Sequence, residues 1–182
     1  MIQDTAKKEQ FIRDAMPHLD AIWQTADWLF EIDQDAEKVT EDVFKEAYKL
    51  WDMSISETAR KLWFFKILIR ELHNKVTLSF RSRFMDDIDD ESVSISTDKI
   101  ESIKLIPGEI VSRAIRNLPV ENRLVFILSF CQKFSYSEIA NIIGVSKKVV
   151  SFAIYKGCKQ IRKELTNYTM TSHTTVPFAK CS

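Results

Sequence analysis

The stretch from Ser135 to Gly157, SYSEIANIIGVSKKVVSFAIYKG, decides how this chain folds. Ser135 and Glu138 have the S-x-x-E spacing of a capping box, in which side chain and backbone satisfy each other's orphan donors at a helix start. Ile139 and Ala140 follow as inward positions of a short helix. Gly144 falls where a tight turn between two helices needs a residue that tolerates positive φ. Ser146 is placed to cap a second helix, with Val149, Val150 and Ile154 on its buried side. Two caps and a glycine turn between two short apolar stripes describe a helix-turn-helix.

The second helix carries Lys147, Lys148, Ser151, Phe152, Tyr155 and Lys156, and Lys159 and Arg162 follow. In a helix-turn-helix the second helix enters the major groove, so its first side chains reach base edges and its lysines reach phosphates. A helix N-terminus also favours a phosphate by itself. The plainer alternative is a helical hairpin with a solvated basic face.

Working outward, charge is unevenly spread. The 182 residues carry 26 basic and 26 acidic side chains, yet residues 112–165 hold 10 basic and 3 acidic ones. Residues 86–111 hold 2 basic and 8 acidic ones. The neutral total therefore hides a basic module behind an acidic stretch, and a compact basic module is the electrostatic footprint of a phosphate binder. The acidic stretch, DDIDDESVSISTDK, is too poor in large apolar side chains to offset its ordering entropy. It predicts a flexible linker over 82–107, ending at Pro107 and Gly108.

Before the linker the periodicity predicts helices. Phe11, Ile12 and Ala15 form a short stripe ahead of Pro17, a residue suited to a first helical turn. Leu19, Ile22, Trp23, Ala26, Leu29 and Phe30 make the next helix. Ala36, Val39, Val43, Phe44, Ala47 and Tyr48 make another from about Asp35 to Leu50. Ser54 and Glu57 have capping-box spacing and predict a helix from Thr58 to about Val76. That helix is apolar on more than one face, with Leu62, Phe65, Ile69 and Leu72 on one and Trp63, Phe64, Ile67 and Leu68 elsewhere. The surplus suggests a surface that meets another molecule.

After the linker, Val111, Ala114, Ile115 and Leu118 mark a helix ending near Pro119, and Leu124, Ile127, Leu128 and Cys131 mark the next. The expected fold is all-α: two small helical domains, 1–81 and 108–166, joined by the acidic linker, the second a helix-turn-helix domain. The last residues, 167–182, read as a disordered tail.

At this point the chain resembles a family, the extracytoplasmic-function sigma factors of the sigma-70 family. Asn117-Leu118-Pro119, Arg123, Val125-Phe126, the SYSEIANIIGVS core and the IYKGCKQIRKEL tail resemble its C-terminal domain. MPHLDAIWQTADWLF, DQDAEKVTEDVFKEAYKLW and KLWFFKILIR resemble its N-terminal domain, in the right order. The resemblance implies a promoter-recognition subunit of bacterial RNA polymerase. Its helix-turn-helix would read the minus-thirty-five element through Ser146, Lys147, Lys148, Ser151, Phe152, Tyr155 and Lys156. The helix with Trp63, Phe65, Lys66, Arg70, His73, Asn74 and Lys75 would open and read the minus-ten element. Stacking on aromatics offsets the cost of unstacked bases, although core packing is the plainer role for each aromatic. Asp35, Glu37, Glu41, Asp42, Lys45 and Glu46 would dock on the polymerase; their plainer reading is a solvated acidic face. The implied partners are core RNA polymerase, promoter DNA and an anti-sigma factor.

Two departures from the family pattern stand out. On the recognition helix, Val149-Val150-Ser151-Phe152-Ala153 replaces a Thr-Val-x-Ser-Arg pattern, losing an arginine at Ala153 and presenting Phe152 as an exposed residue. Beyond Asn74, Val76-Thr77-Leu78-Ser79-Phe80 intervenes before Arg81 and Arg83. The first departure leaves open a sigma-like interaction protein that binds polymerase or a regulator without reading promoters. A stand-alone helix-turn-helix regulator, binding a palindrome as a dimer, would leave the N-terminal likeness unexplained.

Other classes find little support. His18, His73 and His173 have no nucleophile or metal spacing near them, and no Gly-rich phosphate loop exists, so no enzyme, cofactor or metal site is expected. Cys131, Cys158 and Cys181 are isolated, which fits a reducing cytoplasm. No run approaches the ~18 apolar residues of a membrane span, so no membrane insertion is expected.

Overall fold

The structure, a computed structural model, describes residues 2–30, 32–51, 55–75 and 108–173. The expected linker and the segment before it, 76–107, lie outside the described residues, as do 174–182 with Cys181. Every regular element described is helical. The N-terminal group comprises α1 (Ile2–Ala15), a 3-10 turn (Met16–His18), α2 (Leu19–Leu29), α3 (Asp33–Lys49) and α4 (Glu57–His73). The C-terminal group comprises α5 (Gly108–Arg116), α6 (Val120–Phe130), α7 (Tyr136–Ile143) and α8 (Lys147–His173). None of these helices is long and apolar enough to cross a membrane.

The N-terminal helices form because each carries an apolar stripe at helical spacing. Ala36, Val39, Val43 and Ala47 of α3 are completely buried. Their small size lets α3 sit close on Ala26 of α2 and on Phe64 and Leu68 of α4, which are also fully buried. Thr25 and Thr40 enter this core with their hydroxyls donating to Ala21 O at 2.7 Å and Ala36 O at 2.8 Å. Such back-bonding removes the cost of an unmatched buried hydroxyl. Pro17 lies in the 3-10 turn that separates α1 from α2. Phe11 of α1 meets Tyr48 and Trp51 edge-on, each at 5.2 Å, and Asp14 pairs with Arg60 at 3.1 Å.

The start of α4 differs from expectation. Its N-cap is Ser56, with no side-chain capping bond, and Glu57 is the first helical residue. Glu57 therefore occupies the wrong position for a capping box with Ser54, which itself lies outside the described residues.

In the C-terminal group α8 is the central helix, touched by α5, α6 and α7. Leu124, Val125, Ile127 and Leu128 of α6 are fully buried. Cys131, expected to continue that stripe, is the exposed C-cap residue. A separate cluster of Ala114, Leu118, Ile161 and Leu165 joins α5 to the later half of α8. Helix α8 also runs on to His173, although the sequence predicts a disordered tail from 167. Leu165 is buried and Tyr168 half-buried, so the apolar stripe continues past the expected boundary.

The two groups do not stand apart. Helix α2 packs on α6 and α4 packs on α7, and a single hydrophobic core runs through both groups. The surplus apolar surface of α4 is covered from within the chain: Phe65 meets Phe134 at 4.9 Å, edge to face. Burying an aromatic side chain stabilises by roughly 2 kcal/mol, so α4 is apolar on two faces because it has two partners.

Candidate nucleic-acid interface

The helix-turn-helix is built as its sequence reads. Ser135 N–H donates to Glu138 Oε2 at 2.8 Å, and Glu138 N–H donates to Ser135 Oγ at 3.3 Å, completing the capping box at the start of α7. The hydroxyl and amide of Ser135 hold the Glu138 carboxyl below its usual pKa. Gly144 closes α7 in the left-handed region at φ 79° and ψ 34°. Its N–H and that of Val145 both reach Ala140 O. Ser146 Oγ then accepts from Val149 N–H at 3.3 Å and caps α8.

Helix α8 presents Ser146, Lys147 and Lys148 as exposed residues at its start, with Lys156 two turns on. Ser151 and Tyr155 are half-buried. Phe152 corrects the sequence reading, since it is only 4% exposed and belongs to the core. The Nζ of Lys156 lies 5.0 Å from the Phe152 ring centroid. Ala153 is fully buried as well, and its carbonyl accepts from Asn122 Nδ2 at 2.9 Å. Position 153 therefore faces α6, and the arginine missing there does not leave a gap in the exposed basic surface. Both outcomes follow from helices packing on several sides of α8, which gives it a wider buried arc than one stripe.

On α4 the expected residues separate. Trp63, Lys66, Arg70 and His73 share one helical edge at i, i+3, i+7 and i+10, with Asn74 and Lys75 at its end. Lys66, Arg70, His73, Asn74 and Lys75 are exposed, and Trp63 is half-buried between Trp51 at 5.9 Å and Phe64 at 5.1 Å. Phe65 is fully buried against Phe134 and does not join that edge. The Nδ1–H of His73 donates to Ile69 O at 2.8 Å, which leaves Nε2 as its outward atom.

The acidic residues of α3 divide in the same way. Asp35, Glu37, Glu41 and Lys45 are exposed. Lys45 and Lys38 pair with Glu41 and hold its carboxyl below the usual range. Asp42 and Glu46 turn toward α4, where Asp42 Oδ2 lies 3.1 Å from Lys75 Nζ and Glu46 Oε1 lies 3.1 Å from Arg70 Nη2. Burial opposes ionisation of Asp42, but Lys75 and Lys38 prevail and keep its carboxyl below the usual value.

Residues to which the sequence reading gives no site role hold the two groups together. Arg116 bonds Asp27 O and Asp27 Oδ2, both at 3.2 Å, with its guanidinium 4.9 Å from the Trp28 ring. Arg123 donates to Trp28 O at 3.1 Å and to Leu118 O at 3.0 Å. Lys61 donates to Gln132 O at 2.7 Å and lies 4.9 Å from the Phe134 ring. Gln132 in turn donates to Ala21 O at 3.3 Å. Among the described residues no three His, Cys, Asp or Glu side chains gather where they could hold a metal ion.

Comparison with known proteins agrees with this arrangement. Residues 108–161 match the family model for sigma-70, region 4. The chain is similar to the RNA polymerase sigma factor SigV of Bacillus subtilis (strain 168), at 27% identity over 133 residues, covering 72% of this chain and 76% of that protein. Its fold is that of the sigma factor RpoE from Bartonella quintana, solved in complex with the anti-sigma factor NepR. That likeness has a TM-score of 0.61 at 22% identity and covers 87% of this chain and 98% of the other. Residues 108–161 thus match a sigma-70 region 4 model, most of the chain is similar in sequence to one sigma factor, and its fold resembles that of another.

Proposed function

We propose that this protein binds core RNA polymerase in the cytoplasm and directs it to promoters, acting by binding and not by catalysis. The observation that carries this is the capped helix-turn-helix, which presents Ser146, Lys147 and Lys148 at the open end of α8 within a region 4 module. Lys147, Lys148, Ser151, Tyr155 and Lys156 would contact the minus-thirty-five element. Trp63, Lys66, Arg70, His73, Asn74 and Lys75 would serve the minus-ten element, and Asp35, Glu37, Glu41 and Lys45 the polymerase. An anti-sigma factor is the expected regulatory partner, in keeping with the bound state of the Bartonella protein.

The reading as an interaction protein without promoter recognition loses its motivation. It rests on an exposed Phe152 and a missing arginine at Ala153, and both positions are buried.

The test is run-off transcription by sigma-free core polymerase on a library of promoter fragments. Start-site-specific transcripts, weakened by Lys147→Ala with Lys148→Ala, are expected. Core binding without specific initiation would overturn the proposal.

A further inference from the structure

We infer that Asp42 and Glu46 are positioning residues that compete with DNA phosphates for Lys75 and Arg70, attenuating nucleic-acid binding by α4. The inference rests on the reading of α4 as the minus-ten helix. Its basis is a repeated geometry. One oxygen of Asp42 lies 3.4 Å from Lys38 Nζ on its own helix, and the other lies 3.1 Å from Lys75 Nζ just past the end of α4. One oxygen of Glu46 lies 3.2 Å from Lys49 Nζ on its own helix, and the other lies 3.1 Å from Arg70 Nη2 on α4. In both, a lysine three or four residues away holds the carboxylate while its second oxygen faces a cation on or just past the neighbouring helix.

Those two cations sit at the exposed end of the edge formed by Trp63, Lys66, Arg70 and His73. A carboxylate offers a guanidinium or ammonium the same kind of charge-assisted contact as a phosphate oxygen. To reach DNA, Arg70 and Lys75 must leave or share these partners. The carboxylates are also less suited to docking than Glu37 and Glu41, because their side chains are only 27% and 28% exposed. Partly exposed pairs of this kind are individually weak, so the device tunes affinity and does not abolish it.

The test uses the full chain with Asp42→Asn and Glu46→Gln together, titrated into a fluorescein-labelled thymidine oligonucleotide across a salt series. A variant with Glu9→Gln and Asp20→Asn, both exposed and lying on α1 and α2, makes the same change in net charge. The inference expects tighter binding by about threefold to tenfold at low salt, relative to that charge-matched control. It also expects a salt dependence steeper by up to roughly 0.7 per freed cation. On a background of Arg70→Ala with Lys75→Ala, which itself binds more weakly, the same substitutions should have no further effect. An unchanged affinity and slope, no measurable binding by the Asn/Gln variant, or a gain equal to that of the control would overturn the inference. A lowered melting temperature without a change in slope would also overturn it, leaving only a helix staple. If Arg70→Ala with Lys75→Ala binds as the parent chain does, the minus-ten reading of α4 fails, and the inference with it.

Discussion

Phe65 of the N-terminal group and Phe134 of the C-terminal group meet edge to face, with ring centroids 4.9 Å apart. Lys61, one turn earlier on α4, lies over the same Phe134 ring and donates to Gln132 O. The helix proposed to read one promoter element is thereby held against the domain proposed to read the other.

This pairing predicts that Phe134→Ala loosens the docking of the two groups. Elements named for positions about 25 base pairs apart are separated by roughly 85 Å of duplex at 3.4 Å per step. On the proposed reading, helices that share one core cannot reach both, so the groups would part on promoter DNA. Truncating a buried phenylalanine costs about 3–5 kcal/mol where the site cannot collapse. Small-angle scattering should show a larger radius for Phe134→Ala, with helical content unchanged. A radius equal to that of the parent chain would show that the remaining interactions suffice to keep the groups docked.

The turn of the helix-turn-helix should be sensitive to two substitutions of different kinds. Gly144→Ala meets no steric obstacle, since nothing lies within 4 Å of the added carbon, but it forces an L-residue to φ +79°. A cost of about 1–2 kcal/mol is expected from that backbone strain alone. Ser135→Ala removes the side-chain half of the capping box and should cost about 1 kcal/mol. Chemical denaturation, with unchanged slope between variants, measures both.

Lys147→Ala and Lys148→Ala should act on phosphate binding and leave the fold alone, because both side chains are exposed. Wherever a lysine neutralises a phosphate of duplex DNA, its removal should reduce the slope of log affinity against log salt by about 0.9. Fluorescence anisotropy of polymerase complexes on promoter DNA across a salt series gives that slope. An identical slope for parent and variants would assign phosphate binding to other side chains.

His18 predicts a pH dependence. Burial beside Phe64, then the charges of Lys61 and Arg60, push its pKa below the ordinary value of 6.5. The unfolded chain therefore binds this proton more readily than the folded one. The contribution is fully present above about pH 6.5 and is lost as the pH falls below that value toward the lowered folded pKa. Thermal melts should show a smaller drop between neutral and mildly acid pH in His18→Gln than in the parent chain. Equal drops would assign the acid sensitivity to other groups.

Much of this fold is written in local chemistry. The helices of the N-terminal group, the capping box of Ser135 and Glu138, the left-handed Gly144 and the Ser146 cap follow from residue types at fixed spacing, since each bond involved spans only a few residues. So does the placement of Lys147 and Lys148 at the open end of α8. The spacing of Ser54 and Glu57 misleads because S-x-x-E is common, and a helix start is decided by which residue leaves the helical region first.

What the tertiary structure alone decided is which apolar and charged faces find a partner. Phe152 and Ala153 read as surface positions until helices pack on several sides of α8. Phe65 could as well have faced a nucleobase as a phenylalanine from the other end of the chain. Asp42 and Glu46 are indistinguishable from Glu37 and Glu41 until α4 brings Lys75 and Arg70 within 3.1 Å of them. Periodicity tells that a side chain has a buried or a solvated face, because that depends on its own helix. It does not tell what lies across from it, because that depends on how distant segments share one core.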